Sequence, residues 1–184
     1  MTFQLLNRPR RLRTNSTIRS LVEENCLKAS DFVLPVFICE DGNPSEIESM
    51  PGVFRWPISD LCDQIKIWHQ NGIKAFALFP QIPLGCKDET GSAILNPDSL
   101  VYRAAGKIKS LGLDIVLIAD LALDPYTTHG QDGVLNSRGE IDNDPTVEIL
   151  AQASVICANA GLDWVAPSDM MDGRVRIIRE ALEK

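Results

Sequence analysis

"IVLIADLALDPYTTHGQDGVL" (residues 115–135) decides how this 184-residue chain is read. It opens on five consecutive apolar residues, rich in Ile and Val. The run is too short for a helix, and it lacks the alternation of a strand that shows one face to water. A strand buried on both faces reads this way. The run stops at Asp120, and Asp124, His129, Gly130, Asp132 and Gly133 follow in close succession. A buried strand thus delivers a crowd of acceptors to its C-terminal end.

Working outward, three more runs share the character of the first: "FVLPVFIC" (32–39), "KAFALF" (74–79) and "WVA" (164–166). Pro35 inside the first points to an edge position or a bulge. Between and after the runs the period changes to that of helices. Ile58, Leu61, Ile65 and Trp68 keep helical spacing up to Asn71-Gly72, a C-terminal stop signal. Asn96-Pro97 and Asp144-Pro145 read as caps followed by proline at the first helical position. A last helix is expected from about Gly173 to the end. The order is therefore an N-terminal arm (1–30) and then β-α four times (31–184). Alternation of this kind implies a parallel sheet with right-handed crossovers. The long loops, 40–57, 80–95 and 120–143, all follow strands, on the edge where α/β proteins build their sites. Two α/β architectures fit: a four-stranded open sheet, and about half of a (β/α)8 barrel. Because the chain stops inside a helical pattern, "IIREALEK", the incomplete barrel is the expectation. It would leave two unpaired strand edges.

Composition narrows the function. Net charge is -7, which argues against a nucleic-acid binder. Apolar runs are far short of a membrane span, and the N-terminus has no apolar leader core. The first 22 residues carry five arginines and no acid, while all 25 acidic residues lie beyond them. "NRPRRLRTNSTIRSL" is open to three readings: a solvated or subunit-docking arm, a transit peptide, or a phosphate-binding arm. The five cysteines are odd in number and form no C-x-x-C pair. A disulfide scaffold or zinc ribbon is not expected, and a reducing compartment such as the cytoplasm is. Neither G-x-x-x-x-G-K-[ST] nor G-x-G-x-x-G occurs, so nucleotide binding has little support.

The chemistry-bearing candidates collect at strand ends. His69 sits on a helix and reads as a packing residue. His129 lies among Asp120, Asp124 and Asp132, surroundings that suit a hard cation such as magnesium rather than zinc. The same aspartates can also be plain turn and cap residues. The fourth strand ends in "APSDMMDGR", which places Ser168 and Asp169 on the rim reached by Asp120, while Asp172-Gly173 reads as a turn. Of the seven lysines, Lys87 alone follows a strand closely enough to reach that rim as an imine-forming amine.

Nine collinear segments now combine: "RPRRLR" (8–13), "LPVFI" (34–38), "SMPGV" (49–53), "ALFP" (77–80), "KDETGSA" (87–93), "NPDSLVYRA" (96–104), "LDPYTTHGQDG" (123–133), "DND" (142–144) and "VAPSDMMDGR" (165–174). With them the chain resembles porphobilinogen synthase, also called δ-aminolevulinate dehydratase. The resemblance implies a (β/α)8 barrel and an arm that wraps a neighbouring subunit in a homo-octamer. It also implies condensation of two δ-aminolevulinate molecules to porphobilinogen, with loss of two waters, on the way to haem and other tetrapyrroles. "RPRRLR" then reads as a subunit contact.

Where the zinc-dependent branch of that family has three cysteines, this chain has Ala122, Asp124 and Asp132. Thiolate ligands are absent, which argues against zinc and for the magnesium-type branch. Asp124 and Asp132 are expected to hold a hard cation, or to orient and deprotonate substrate. Asp120 and Ser168 are expected in supporting catalytic roles. In the family both Schiff-base lysines, and the groups that hold the substrate carboxylates, follow "PSDMMDGR". So does the carboxylate for the allosteric magnesium. The chain is therefore expected to be an N-terminal half without activity of its own. The alternative is a non-catalytic half-barrel module that pairs with like subunits. "GSAILNPD" also departs from the family, which more often has an acid and an aromatic before the Asn-Pro.

Overall fold

The computed structural model describes residues 4 and 6–184. The arm comes first: a 3-10 turn at Arg11–Arg13 and a short helix α1 (Ser16–Leu21), whose start is capped by the Asn15 side chain accepting from Ile18 N at 2.9 Å. Neither element buries a residue.

The body alternates as expected. β1 (Val33–Cys39) is followed by β2 (Ser45–Ile47) and β3 (Met50–Pro57), and then by α2 (Ile58–Gln70). β4 (Ala75–Pro80) leads to α3 (Leu100–Lys109), β5 (Val116–Asp120) to α4 (Asn143–Asn159), and β6 (Trp164–Ala166) to α5 (Arg174–Leu182). The sheet order is β2-β3-β1-β4-β5-β6, parallel except for the β2–β3 pair.

Three expectations need correction. The smallest is at α4, which starts at Asn143 with Asp142 in the cap position, so Asp144-Pro145 lies inside the first turn and not at its boundary. Residues 40–57 are not a loop: they hold the β2–β3 hairpin, hidden in the sequence by Pro51 and Gly52. Proline is tolerated where a strand lies near a sheet edge. The third helix does not start at Asn96-Pro97. Asn96 Oδ1 accepts from Asp98 N at 2.9 Å and its carbonyl from Ser99 N at 2.9 Å, so this pair forms a turn and the helix begins at Leu100. Pro35 is level with Ala77 of β4, whereas β3 joins β1 only at Phe37, Ile38 and Cys39. Pro35 therefore sits at a local edge, which spares the sheet a missing donor.

The order β1-β4-β5-β6 is monotonic. Right-handed crossovers in a monotonic order place every helix on the same face. Burial agrees. Val36, Ile38, Phe76, Leu78, Leu117 and Ala119 share the helix-facing side, and each is at most 1% exposed. Each large apolar side chain so buried stabilises by about 1.5–3 kcal/mol. The alternate residues face the other way. Phe37 stacks on Phe79 at 5.5 Å, and Trp164, in register with Ile118, is 59% exposed. One sheet face is covered by helices; the other is apolar and uncovered at its flanks, where Val33 and Trp164 are exposed, while Ile118 between them is buried. At the strand N-terminal ends, Asp163 ties β5 to α3: its carboxylate accepts from Leu117 N at 2.7 Å and pairs with Lys109 at 2.6 Å.

Candidate active-site rim

Two strand ends arrive side by side. Asp120 closes β5 and is in register with Ala166 of β6, and Leu121 N donates to Ala166 O at 3.0 Å. This brings Ser168 to Asp120, where its Oγ donates to Oδ1 at 2.6 Å. Burial raises the Asp120 carboxyl above its ordinary value, the Ser168 bond opposes that, and the charges of Asp132 and Asp169 reinforce it. Asp124 is raised as well: partial loss of water is the largest cause, then the charges of Asp132 and Asp120, with Lys87 acting in the opposite sense. The charge of Asp132 thus acts on both Asp120 and Asp124.

The sign of this interaction is testable. A carboxyl raised in the folded state binds protons more readily there than in the unfolded chain. Its charge costs stability as pH rises above the ordinary carboxylate value. Asp120→Asn keeps an oxygen for Ser168 and removes the charge, so its melting temperature should exceed wild type at neutral pH. The gain should vanish below the ordinary carboxylate range. Thermal melts across that range check this, and a variant less stable at neutral pH contradicts it.

The loop after β5 is fastened on two sides. Asp88 N donates to Tyr126 O at 3.3 Å and Thr128 N to Asp88 O at 2.9 Å, a short parallel bridge to the loop after β4. The Asp88 carboxylate accepts from Thr90 N, Thr90 Oγ1, Ser92 N and Ser92 Oγ. Those bonds, led by the Ser92 hydroxyl, hold it well below the usual carboxylate range. Gly91 lies at φ +67°, and a Cβ there would meet Leu123, Tyr126 and Thr127 at 3.4 Å, so glycine permits both the turn and the close approach. Behind Asp132, Thr146 Oγ1 accepts from Val134 N at 3.0 Å and donates to Asp142 O at 2.6 Å. A Cβ on Gly133 would stand 2.8 Å from that hydroxyl.

Not every candidate joins the rim. Asp169 turns inward and is 1% exposed; it accepts from Met171 N at 2.7 Å and pairs with Arg174 at 3.0 Å. The expectation that it shares the rim with Ser168 is corrected: it clamps the turn that leads into α5. Asp172 is also structural, its N–H donating to Asn143 Oδ1 at 2.7 Å. His69 bonds Lys74 at 2.7 Å next to the start of β4, at the opposite end of the sheet. Asp88 was not singled out from the sequence, although "DETGS" carries the acceptor-then-hydroxyl pattern of a side-chain turn.

Asp124 and Asp132 offer oxygen and no sulfur. Among the described residues, no group of three or more His, Cys, Asp or Glu side chains is arranged to hold a metal ion. Two carboxylates suit magnesium, which keeps several of its own waters, and do not make an enclosed zinc site.

Parallel strands, helices on one face and polar residues converging at the C-terminal strand ends define the class: part of a (β/α) barrel with its site on the usual rim. The chain belongs to the delta-aminolevulinic acid dehydratase family, whose sequence model matches residues 6–184. A Chlamydia pneumoniae delta-aminolevulinic acid dehydratase is 42% identical over 184 residues, 100% of this chain and 55% of that protein. A chloroplastic delta-aminolevulinic acid dehydratase from Selaginella martensii is 43% identical, covering 99% and 44%. The crystal structure of the Toxoplasma gondii ME49 enzyme, in complex with the reaction product porphobilinogen, superposes with a TM-score of 0.92 at 42% identity, covering 98% of this chain and 51% of that one. The chain spans about half the length of the curated relatives it matches.

Proposed function

We propose that residues 1–184 supply one half of a porphobilinogen synthase site, which condenses two δ-aminolevulinate molecules with loss of two waters. The carrying observation is that Asp120, Asp124, Asp132 and Ser168 meet on one rim in a chain collinear with this family. Raised carboxyls near a common space are suited to take and return protons. Asp120 does so with Ser168 fixed against it. Asp124 and Asp132 face the substrate, orienting and deprotonating its amine. When magnesium binds at this pair it supplies positive charge at the rim, and zinc is disfavoured by the absence of thiolates. The imine-forming lysines belong to the part of the barrel that the relatives have beyond this match.

The arm is proposed to clasp a neighbouring subunit on the way to an octamer. Leu6, Leu12, Leu21 and Leu27 are exposed along it, and no residue of its 3-10 turn or α1 is buried. For compartment, the five cysteines are free, which supports the cytoplasm, and cell fractionation decides it. No helix among the described residues is long and apolar enough to cross a membrane.

The test is complementation. The chain is co-refolded with the second half of the Chlamydia pneumoniae relative, and porphobilinogen formation and sedimentation are measured. Turnover in a large oligomer is expected, falling at least a hundredfold with Asp124→Ala, in the range of acid–base contributions. A correctly assembled particle without turnover overturns the proposal. The second reading, a non-catalytic module pairing with its like, draws on the apolar face uncovered at its flanks, with Trp164 and Val33 exposed. A discrete dimer of the chain alone, inert in the mixture, would favour it.

A further inference from the structure

We infer that His129 is a positioning residue: its imidazole, fixed as the Nε2–H tautomer, couples the two rim loops and so sets Asp124 and Asp132 in place. The inference rests on the reading of those aspartates as substrate-facing, but its geometry stands apart from any activity.

His129 makes two hydrogen bonds of opposite sense. Gln131 N donates to its Nδ1 at 3.2 Å, and its Nε2 lies 3.0 Å from Glu89 O. A backbone amide can only donate and a carbonyl can only accept. Nδ1 must therefore be bare and Nε2 must carry the proton. One bond closes the ring's own loop and the other crosses to the loop after β4. The crossing bond lies beside the Asp88–Thr127 bridge, in a loop closed again by Thr127 Oγ1 donating to Gln131 O at 3.0 Å. Asp132 is the next residue after Gln131, and Asp124 lies between Leu123 and Tyr126, at the contact with Gly91. Both carboxylates thus hang from segments that this lacing holds.

The chain contains an internal contrast. It has two histidines, and His69 is bonded through Nε2 to the Lys74 ammonium at 2.7 Å. An ammonium only donates, so His69 must carry its proton on Nδ1. The two histidines are assigned opposite tautomers.

Long-range proton–nitrogen correlation spectra of the ¹⁵N-labelled chain, at a pH where both rings are neutral, read this directly without any variant. Expected is a protonated Nε2 for His129 and a protonated Nδ1 for His69. The same tautomer in both, or rapid averaging at His129, overturns the assignment. Two substitutions then separate the bonds. Gln at 129 has an N–H that reaches as Nε2 does, and Asn has an oxygen placed as Nδ1 is. His129→Asn should speed exchange of the Thr128 amide about tenfold, the scale of one lost hydrogen bond. It should also lower backbone order over residues 128–133 from the rigid value of about 0.85. His129→Gln should restore both. If Asn protects as well as Gln, the crossing bond positions nothing and the inference fails. These measurements use no substrate, so their failure is distinct from failed complementation.

Discussion

Residues 1–184, incubated with labelled δ-aminolevulinate and then borohydride, should emerge with no covalent label on any of the seven lysines. An imine needs an unprotonated amine within reach of the substrate carbonyl, in a dry pocket or beside another cation. Lys66 is tied to Asp63 on the exposed side of α2, Lys109 to Asp163, and Lys74 to His69, away from the rim. Lys28 is in the arm, Lys107 on the back of α3, and Lys184 ends the chain. Lys87 remains, and its neighbour in charge is Asp124, the opposite of the cationic company that makes a lysine nucleophilic. Porphobilinogen formation by the chain alone should match buffer. Mass spectrometry of the peptides is the measurement, and a stoichiometric adduct on Lys87 would move the nucleophile into this half.

The second large effect concerns folding. Asp169→Ala should destabilise the chain by about 3 kcal/mol, the lower end of the cost of breaking a buried pair. The lower end applies because the Arg174 side chain is 27% exposed and its Nε, 3.0 Å from the carboxylate, makes a charge pair without an aligned hydrogen bond. The loss has two parts. The Arg174 guanidinium keeps its place without a counter-charge, and the Met171 N–H loses its acceptor. Melting should fall by roughly 6–12 °C for a chain of this size. Asp169→Asn, which keeps an acceptor but no charge, should lie between. Urea unfolding followed by circular dichroism checks both, and an Ala variant within 0.5 kcal/mol of wild type would mean that the clamp is decorative.

How much was legible in the sequence differs by element. The four apolar runs fall on β1, β4, β5 and β6 within a residue or two, because both faces of these strands are apolar, although helices cover only one of them and the expected burial on both faces is not met. The helix from Ile58 to Gln70 was legible for the complementary reason: its one buried stripe keeps a 3.6-residue period. β2 and β3 were not. Pro51 and Gly52 read as breakers, and only the partner strand makes a lone hairpin edge stable. The rim was legible as far as adjacent strand ends imply adjacent loops, which brought Asp120 to Ser168. Asp169 was misread because sequence position places a residue at a strand end without saying which way its side chain turns. The bridge from Asp88 to Thr127 joins residues 39 apart and has no local signature.

The monotonic strand order also has a consequence for the order of events during synthesis. β4, β5 and β6 each pair with the strand of the preceding βα unit, so when a strand leaves the ribosome its partner is already made. The sheet can grow from one side, unit by unit, with no early strand kept waiting for a distant one. The rim follows the same schedule. Once residue 131 is out, every group that laces Asp88, Glu89, Thr127 and His129 has been synthesised, before β6 exists. On this account the rim's scaffolding is set from the N-terminal side, ahead of Ser168, the last of its polar groups to be made.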